Sequence, residues 1–348
     1  MPPPSGENDS NGPYKGRNTM IQLILNPESG RSCTNSLEKK IRRELSGLSF
    51  NLECTTGPGH ATEIARSASA NGAHTIVAVG GDGVVNEVLN GIAGTSTALG
   101  IIPAGTANDL ARHLGISDNL AASCDLIRHR FPSIIDTIEV NGRRFLTAGG
   151  VGLAGDVARM ANRLKSRNSE NYGLWDFSGS KLYIFAALIA LASTKFEIQP
   201  LYLRIDGRWI VADPLWIMIS NQPRVGRFFL VSPGAKNNDG YFNVCMAENT
   251  RSKFKALSTV SRILAGKHEQ RPDVSIFKSK EMIIQASEPV PFFGDGELLC
   301  ESTELRIKIQ PSSVRILVPG SRFSNTNHRH DLRFFLNTNS GGGHEITA

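Results

Sequence analysis

Four residues, Gly80, Gly81, Asp82 and Gly83, separate an apolar run at 75–79 from a stretch of helical periodicity. Val85, Val88, Leu89 and Ile92 fall on one helical face there, with Asn86, Glu87 and Asn90 pointing elsewhere. The apolar run is the signature of a strand buried on both sides, as in a parallel sheet. The segment therefore reads as strand, glycine turn, helix. Glycines let a ligand approach the main chain without a Cβ in the way. The first amides of a helix lack internal partners and carry the positive end of its dipole, so the turn is suited to seat phosphate. Asp82 is the unexpected member, because a carboxylate repels phosphate unless it meets a metal ion or a hydroxyl beside it.

The same alternation recurs through the first part of the chain. Strands are expected at 20–25, 50–55, 75–79 and 99–102, with helices near 36–45, 61–70, 84–92 and up to about 114. That rhythm predicts an α/β, doubly wound parallel sheet with helices on both faces. Beyond residue 140 the pattern changes. Strands are expected at 201–205, 209–220, 241–246, 281–286 and 305–317, interrupted by helices near 153–165, 180–193 and 252–266. A mainly antiparallel β-sandwich follows, with "IDGRW" (205–209) as a hairpin turn. The expected organisation is a polar, disordered tail at 1–18, an α/β domain at 19–140, a β-sandwich domain at 141–320 and a mostly disordered tail at 321–348.

Composition narrows the partners. The 348 residues carry a formal charge of +6, which favours contact with anions such as nucleotide phosphates or an acidic membrane surface. No nucleic-acid-binding motif accompanies the charge, and Arg159, Arg163, Lys165 and Arg167 read as a solvated helix face. The five cysteines, Cys33, Cys54, Cys124, Cys245 and Cys300, lack metal-ligand spacing and suit a reducing compartment. The N-terminus has no apolar secretory region, and the longest apolar stretch, 182–192, is shorter than the ~20 residues a membrane span needs. A cytoplasmic protein, soluble or peripheral to the membrane, is expected, and a homodimer is compatible with all of this.

In a doubly wound sheet, ligands bind beyond the carboxyl ends of the strands. Three polar loops follow strands at that edge: "NPESG" (26–30), "GGDGVVNE" (80–87) and "PAGTAND" (103–109), with Thr55 beside them. Asn108 or Asp109 is a candidate cap for the next helix. Neither the Gly-Lys-Ser/Thr triplet of a P-loop nor a G-x-G-x-x-G fingerprint at the first strand–helix turn is present.

"GGDGVVNEVLNG" together with "LGIIPAGTANDLARHLG" resembles the catalytic domain of the diacylglycerol kinase and sphingosine kinase superfamily, particularly its bacterial soluble lipid kinases. "NPESG", "SPGAKNNDGYFNV" and "GDGELL" extend the likeness in the family's order. The resemblance implies a nucleotide-binding α/β domain, a β-sandwich domain and catalysis between them. It implies ATP contacts from Asn26, Pro27, Glu28, Ser29, Gly30, Thr55, Gly81, Asp82, Gly83, Val84, Val85, Asn86, Glu87 and Thr106. Asp82 would place the phosphates through Mg²⁺. Glu297 would be the general base, its pKa raised by the apolar "PVPFF" beside it. Asp239, with the carbonyls of Lys236 and Tyr241, would form a structural Mg²⁺ site, and Asp109, Asp136 and Arg31 a supporting charged network. Val84 departs from the family's usual threonine and lacks its hydroxyl.

The resulting expectation is an ATP- and Mg²⁺-dependent kinase acting on a hydroxyl of a diacylglycerol-like lipid at a membrane surface. "NQPRVGRFFLV" (221–231), with two arginines and two phenylalanines, is the candidate bilayer contact. Two alternatives stand beside it. GGDG followed by Asn-Glu also suits an NAD kinase-like enzyme, and Val84 suits a nucleotide-binding regulator without catalysis.

Overall fold

The computed structural model describes residues 20–27, 34–105, 107–129, 131–170, 186, 189–190, 200–225, 229–249, 251–264, 266–268 and 271–320. Both expected tails, most of the 180–193 helix, and Glu28, Ser29, Gly30, Arg31 and Thr106 lie outside these residues.

β1 (Ile21–Leu25), β2 (Phe50–Cys54), β3 (Thr75–Gly80) and β4 (Ala98–Pro103) run parallel in the order β4-β3-β1-β2. β1 and β3 are buried at every position because helices cover both faces of the sheet, which is why their sequences do not alternate. α1 (Thr34–Glu44), α2 (His60–Ala70), α3 (Asp82–Ile92), α4 (Asp109–His113) and α5 (Leu120–His129) supply the covering.

The second region is antiparallel. β5 (Pro132–Val140) turns into β6 (Arg143–Phe145), and β7 (Ala148–Gly152) precedes α6 (Leu153–Glu170). β8 (Leu201–Ile205) and β9 (Arg208–Ala212) form the expected hairpin, with Asp206 and Gly207 both at positive φ. The single strand expected at 209–220 is in fact two, β9 and β10 (Pro214–Ser220), separated at Asp213. β11 (Arg224–Val225) and β12 (Phe229–Leu230) make a small ribbon. β13 (Phe242–Glu248), α7 (Lys253–Leu264), β14 (Val274–Ser279), β15 (Glu281–Gly294) and β16 (Glu297–Leu317) complete the described chain.

β16 ties the two regions together. It pairs antiparallel with β15 and β5, and its last residues pair parallel with β4. The register of β5 on β16 shifts between Gln310 and Val314, around Ser312 with φ 50°. Ile135, Val314 and Ile316 pack into the α/β core, whereas Ile138, Val140 and Ile307 pack into the sandwich core. The two cores therefore change over along β5 itself, and residue 141 lies in the tight β5–β6 turn.

Candidate active site

The described residues of the three loops meet at the carboxyl edge of the parallel sheet, held by hydrogen bonds one residue beyond the strands. Asn26 N donates to Val79 O (3.1 Å), Thr55 N to Leu25 O (2.9 Å) and Ala104 N to Gly80 O (2.9 Å). Gly81 and Gly105 face each other across the loops. A Cβ on Gly105 would stand 2.4 Å from Gly81 Cα, so the two turns approach this closely only without side chains. Asn108 takes the N-cap position of α4 at φ 48° but makes no cap hydrogen bond. Its side chain instead closes the loop on Gly105, accepting from Gly105 N (3.1 Å) and donating to Gly105 O (2.9 Å).

Asp82, the first residue of α3, sends its carboxylate onto the start of α4, where the amides of Asp109 and Leu110 donate to it. Burial, and then the charges of Asp109 and Asp295, push its pKa from 3.8 up to about 7; the two amides only partly oppose this. Asp295 was not anticipated from the sequence. It sits in the β15–β16 turn at φ 51° and accepts from Leu146 N (3.0 Å), Thr147 N (2.8 Å), Thr147 Oγ1 (2.6 Å) and Asn86 Nδ2 (2.8 Å). The only signal for it was the Asp-Gly turn dipeptide.

Asn86 and Glu87 have structural partners that spacing did not reveal. Asn86 Nδ2 bonds both Asp295 and Arg144 O (3.0 Å), joining α3 to the sandwich. Asn90 reinforces the joint, donating to Arg144 O (2.9 Å) and accepting from Arg144 N (2.9 Å). Glu87 accepts from Gly59 N and Ala61 N, both 3.0 Å, and so places a negative charge at the N-terminus of α2. Val84 and Val85 are buried in the α/β core.

Two cavities meet at this point. A polar cleft is lined by Asn26, Pro27, Thr55, Gly83, Glu87 and Glu297. An apolar cavity is lined by Leu153, Val157, Trp216, Phe229, Val260 and Phe293, and its polar end is formed by Asp82, Asp109, Asp295 and Gly296. Adjacent residues thus face different spaces: Asp82 the apolar cavity and Gly83 the cleft, Gly296 the cavity and Glu297 the cleft. Glu297 Oε1 lies 3.7 Å from where a Cβ of Gly83 would stand. Glu297 is exposed, so the adjacent "PVPFF" does not desolvate it, whereas burial raises the pKa of the half-buried Asp82. In the 221–231 segment, Val225, Phe229 and Val231 line the apolar cavity and Arg224 is exposed, while 226–228 lie outside the described residues. Arg159 is more than a solvated residue, since its guanidinium lies over the Phe293 ring at 5.7 Å.

The residues expected to hold a structural cation fit one poorly. Asp239 Oδ2 is 2.5 Å from Lys278 Nζ, and Asp239 Oδ1 accepts from Tyr241 N (3.2 Å). The Lys278 ammonium already balances the carboxylate a metal would need. Asp136 belongs with this turn and not with Asp109: it is buried and accepts from Gly240 N and Ser312 N, both 2.8 Å. Among the described residues no three His, Cys, Asp or Glu side chains form a metal-ligand group.

Comparison with known proteins follows the same division. Residues 20–140 match the diacylglycerol kinase catalytic domain, and residues 150–318 match the YegS C-terminal NAD kinase beta sandwich-like domain. A diacylglycerol kinase of Mycobacterium tuberculosis is 30% identical over 308 residues, 86% of this chain and 95% of that protein. One from Bacillus subtilis is 29% identical over 286 residues, 79% of this chain and 89% of that protein. The crystal structure of a putative diacylglycerol kinase from Bacillus anthracis superposes with a TM-score of 0.69 at 24% identity, covering 86% of this chain and 97% of that one, a likeness of fold.

Proposed function

Because the chain belongs to the diacylglycerol kinase catalytic-domain family, we propose that it is a cytoplasmic lipid kinase that transfers the γ-phosphate of ATP, with Mg²⁺, to a hydroxyl of a diacylglycerol-like lipid. The observation that carries this reading is the meeting of a polar cleft and an apolar cavity across two pairs of adjacent residues. ATP lies in the cleft, with its phosphates over the first amides of α3, where Gly83 lines the cleft. The lipid chain fills the apolar cavity, and its hydroxyl reaches the polar end beside Asp82.

Phosphoryl transfer of this kind is mainly positioning and charge neutralisation, with a base to take the hydroxyl proton. The hydroxyl oxygen bonds to the γ-phosphorus, the bond to the ADP oxygen breaks, and the proton passes to a carboxylate. Glu297, across from Gly83, is the base in this assignment. In this reading Asp82 would hold Mg²⁺, since a divalent cation there would offset a carboxylate charge disfavoured by burial and by Asp109 and Asp295. When bound, that ion supplies neutralisation of the phosphate oxygens.

One observation favours exchanging these roles. Asp82 faces the apolar cavity, where the lipid hydroxyl would arrive, and burial pushes its pKa up to about 7, whereas Glu297 is exposed on the cleft side. The deciding experiment is transfer of labelled γ-phosphate to a panel of lipids in mixed micelles, with pH profiles for the wild type, Asp82→Asn and Glu297→Gln. A base at Glu297 predicts that Glu297→Gln removes the acidic limb of kcat. A limb near pH 7 that survives in residual Glu297→Gln activity assigns the base to Asp82. No labelled lipid from folded, ATP-binding protein refutes the lipid-kinase reading, and labelling of NAD instead moves the chain to the NAD kinase-like alternative.

A further inference from the structure

α7 carries a feature that neither folding nor catalysis uses. Its inner face, Ala256, Thr259 and Ile263, is buried, and Val260 and Ile263 form part of the wall of the apolar cavity. Its outer face presents Phe254 at 87% exposure and Leu257 at 39%, one helical turn apart. Lys253 and Lys255 flank Phe254 and are exposed, as is Arg262 further along. From 251 to 267 the chain has five cations, Arg251, Lys253, Lys255, Arg262 and Lys267, and no acidic residue.

These choices work against an isolated helix in water. Lysines in the first turn oppose the helix dipole, and that turn contains no acidic residue. Phe254 leaves nearly its whole ring in solvent. An aromatic side chain ringed by cations on an amphipathic helix is, by contrast, suited to the interface of an anionic bilayer. There the ring enters the acyl boundary and the ammonium groups meet lipid phosphates. Two properties select a bilayer over a protein partner: the excess positive charge of the segment, in which Arg251 is paired with Asp213, and the position of the same helix in the wall of the apolar cavity.

We propose that α7 is the bilayer-docking element of this protein, with Phe254 and Leu257 inserted among anionic lipids and Lys253 and Lys255 on their headgroups. The outer face of the helix then rests on the membrane while its inner face borders the cavity that takes the lipid. The docking surface deepens the lipid-kinase reading and rests on it for its purpose, but vesicle binding can be measured without activity.

The test is co-sedimentation with phosphatidylcholine vesicles, with and without phosphatidylglycerol, paired with kinase assays on a short-chain, water-dispersed diacylglycerol. The expected result is binding only to phosphatidylglycerol vesicles, weakened by salt. Phe254→Ser should weaken it about ten-fold by loss of buried ring area. Lys253→Gln combined with Lys255→Gln should weaken it about 25-fold, about five-fold per lysine. Val211→Ser, which removes another exposed apolar side chain (66%) from the β9 edge, should leave binding unchanged. All variants should phosphorylate the short-chain lipid at the wild-type rate. Equal vesicle binding by the wild type and the α7 variants overturns the proposal, as does equal weakening by Val211→Ser. It is likewise overturned if Phe254→Ser abolishes a dimer seen by sedimentation velocity while vesicle binding persists. Vesicle binding lost in the α7 variants, with no activity on any lipid, would uphold the docking surface and remove the kinase reading instead.

Discussion

The Asp82 carboxyl is held at a cost to stability that replacing it with an uncharged amide should expose. Its pKa rises from 3.8 to about 7 on folding, because burial and the neighbouring carboxylates of Asp109 and Asp295 disfavour its charge. The folded state therefore binds a proton that the unfolded state has already released between about pH 4 and pH 7. Stability must fall as pH rises through that window, and the loss is complete above about pH 7. A difference of about 3 pK units corresponds to a ceiling of about 4 kcal/mol. Because Asp82 keeps partial solvent access, about 2 kcal/mol is the working figure. Asp82→Asn removes the titration, so the stability of the variant relative to the wild type should climb by that amount from about pH 4 to about pH 8. Any hydrogen bond lost to the amides of Asp109 and Leu110 shifts the whole comparison by a constant and leaves the slope intact. Urea unfolding of both proteins across this range measures it directly. Parallel curves would refute the reasoning, since they would mean that Asp82 is ionised in the folded protein at no cost. Mg²⁺ at alkaline pH should narrow the gap if the ion sits beside this carboxylate. The variant gains stability and loses catalysis together, the exchange expected where a site stores unfavourable charge.

Three further outcomes can be checked. Asn86→Ala removes the donor shared by Asp295 and Arg144 O, and should cost about 2 kcal/mol in urea unfolding. Gly105→Ala places a Cβ 2.4 Å from Gly81 Cα and 2.9 Å from Asn108 Oδ1, atoms with no room to yield. Forcing the loops apart should cost about 1–3 kcal/mol and raise KM for ATP more than KM for lipid. Lys278→Met leaves Asp239 without its ammonium partner; its thermal midpoint should become Mg²⁺-dependent and EDTA-sensitive, while that of the wild type stays unchanged by either.

Local pattern was enough for the α/β half of the fold. Unbroken burial in β1 and β3 follows from apolar runs with helices on both sides, and the glycine turns announce themselves by composition. For the same reason the sequence determined that "GGDG" and "PAGTAND" share an edge of the sheet: parallel strands joined by helices place all such loops at one end. The hairpin at Asp206 and Gly207 was legible because a two-residue turn is a local matter. Local pattern failed where partners are distant along the chain. Asp295 meets Asn86 across 209 residues, and nothing near either residue states that pairing. The strand expected at 209–220 breaks at Asp213 because β9 and β10 answer to different neighbours, β8 on one side and β7 with β13 on the other. Burial fell differently from the sequence neighbourhood: the apolar "PVPFF" left Glu297 exposed, while Asp82, in a glycine turn, is a carboxylate whose charge burial disfavours. The sequence determined which chemistry the loops can hold. Only the packing of the sandwich against α3 decided which carboxylate loses its water, because desolvation depends on what surrounds a group in space and not on what precedes it in the chain.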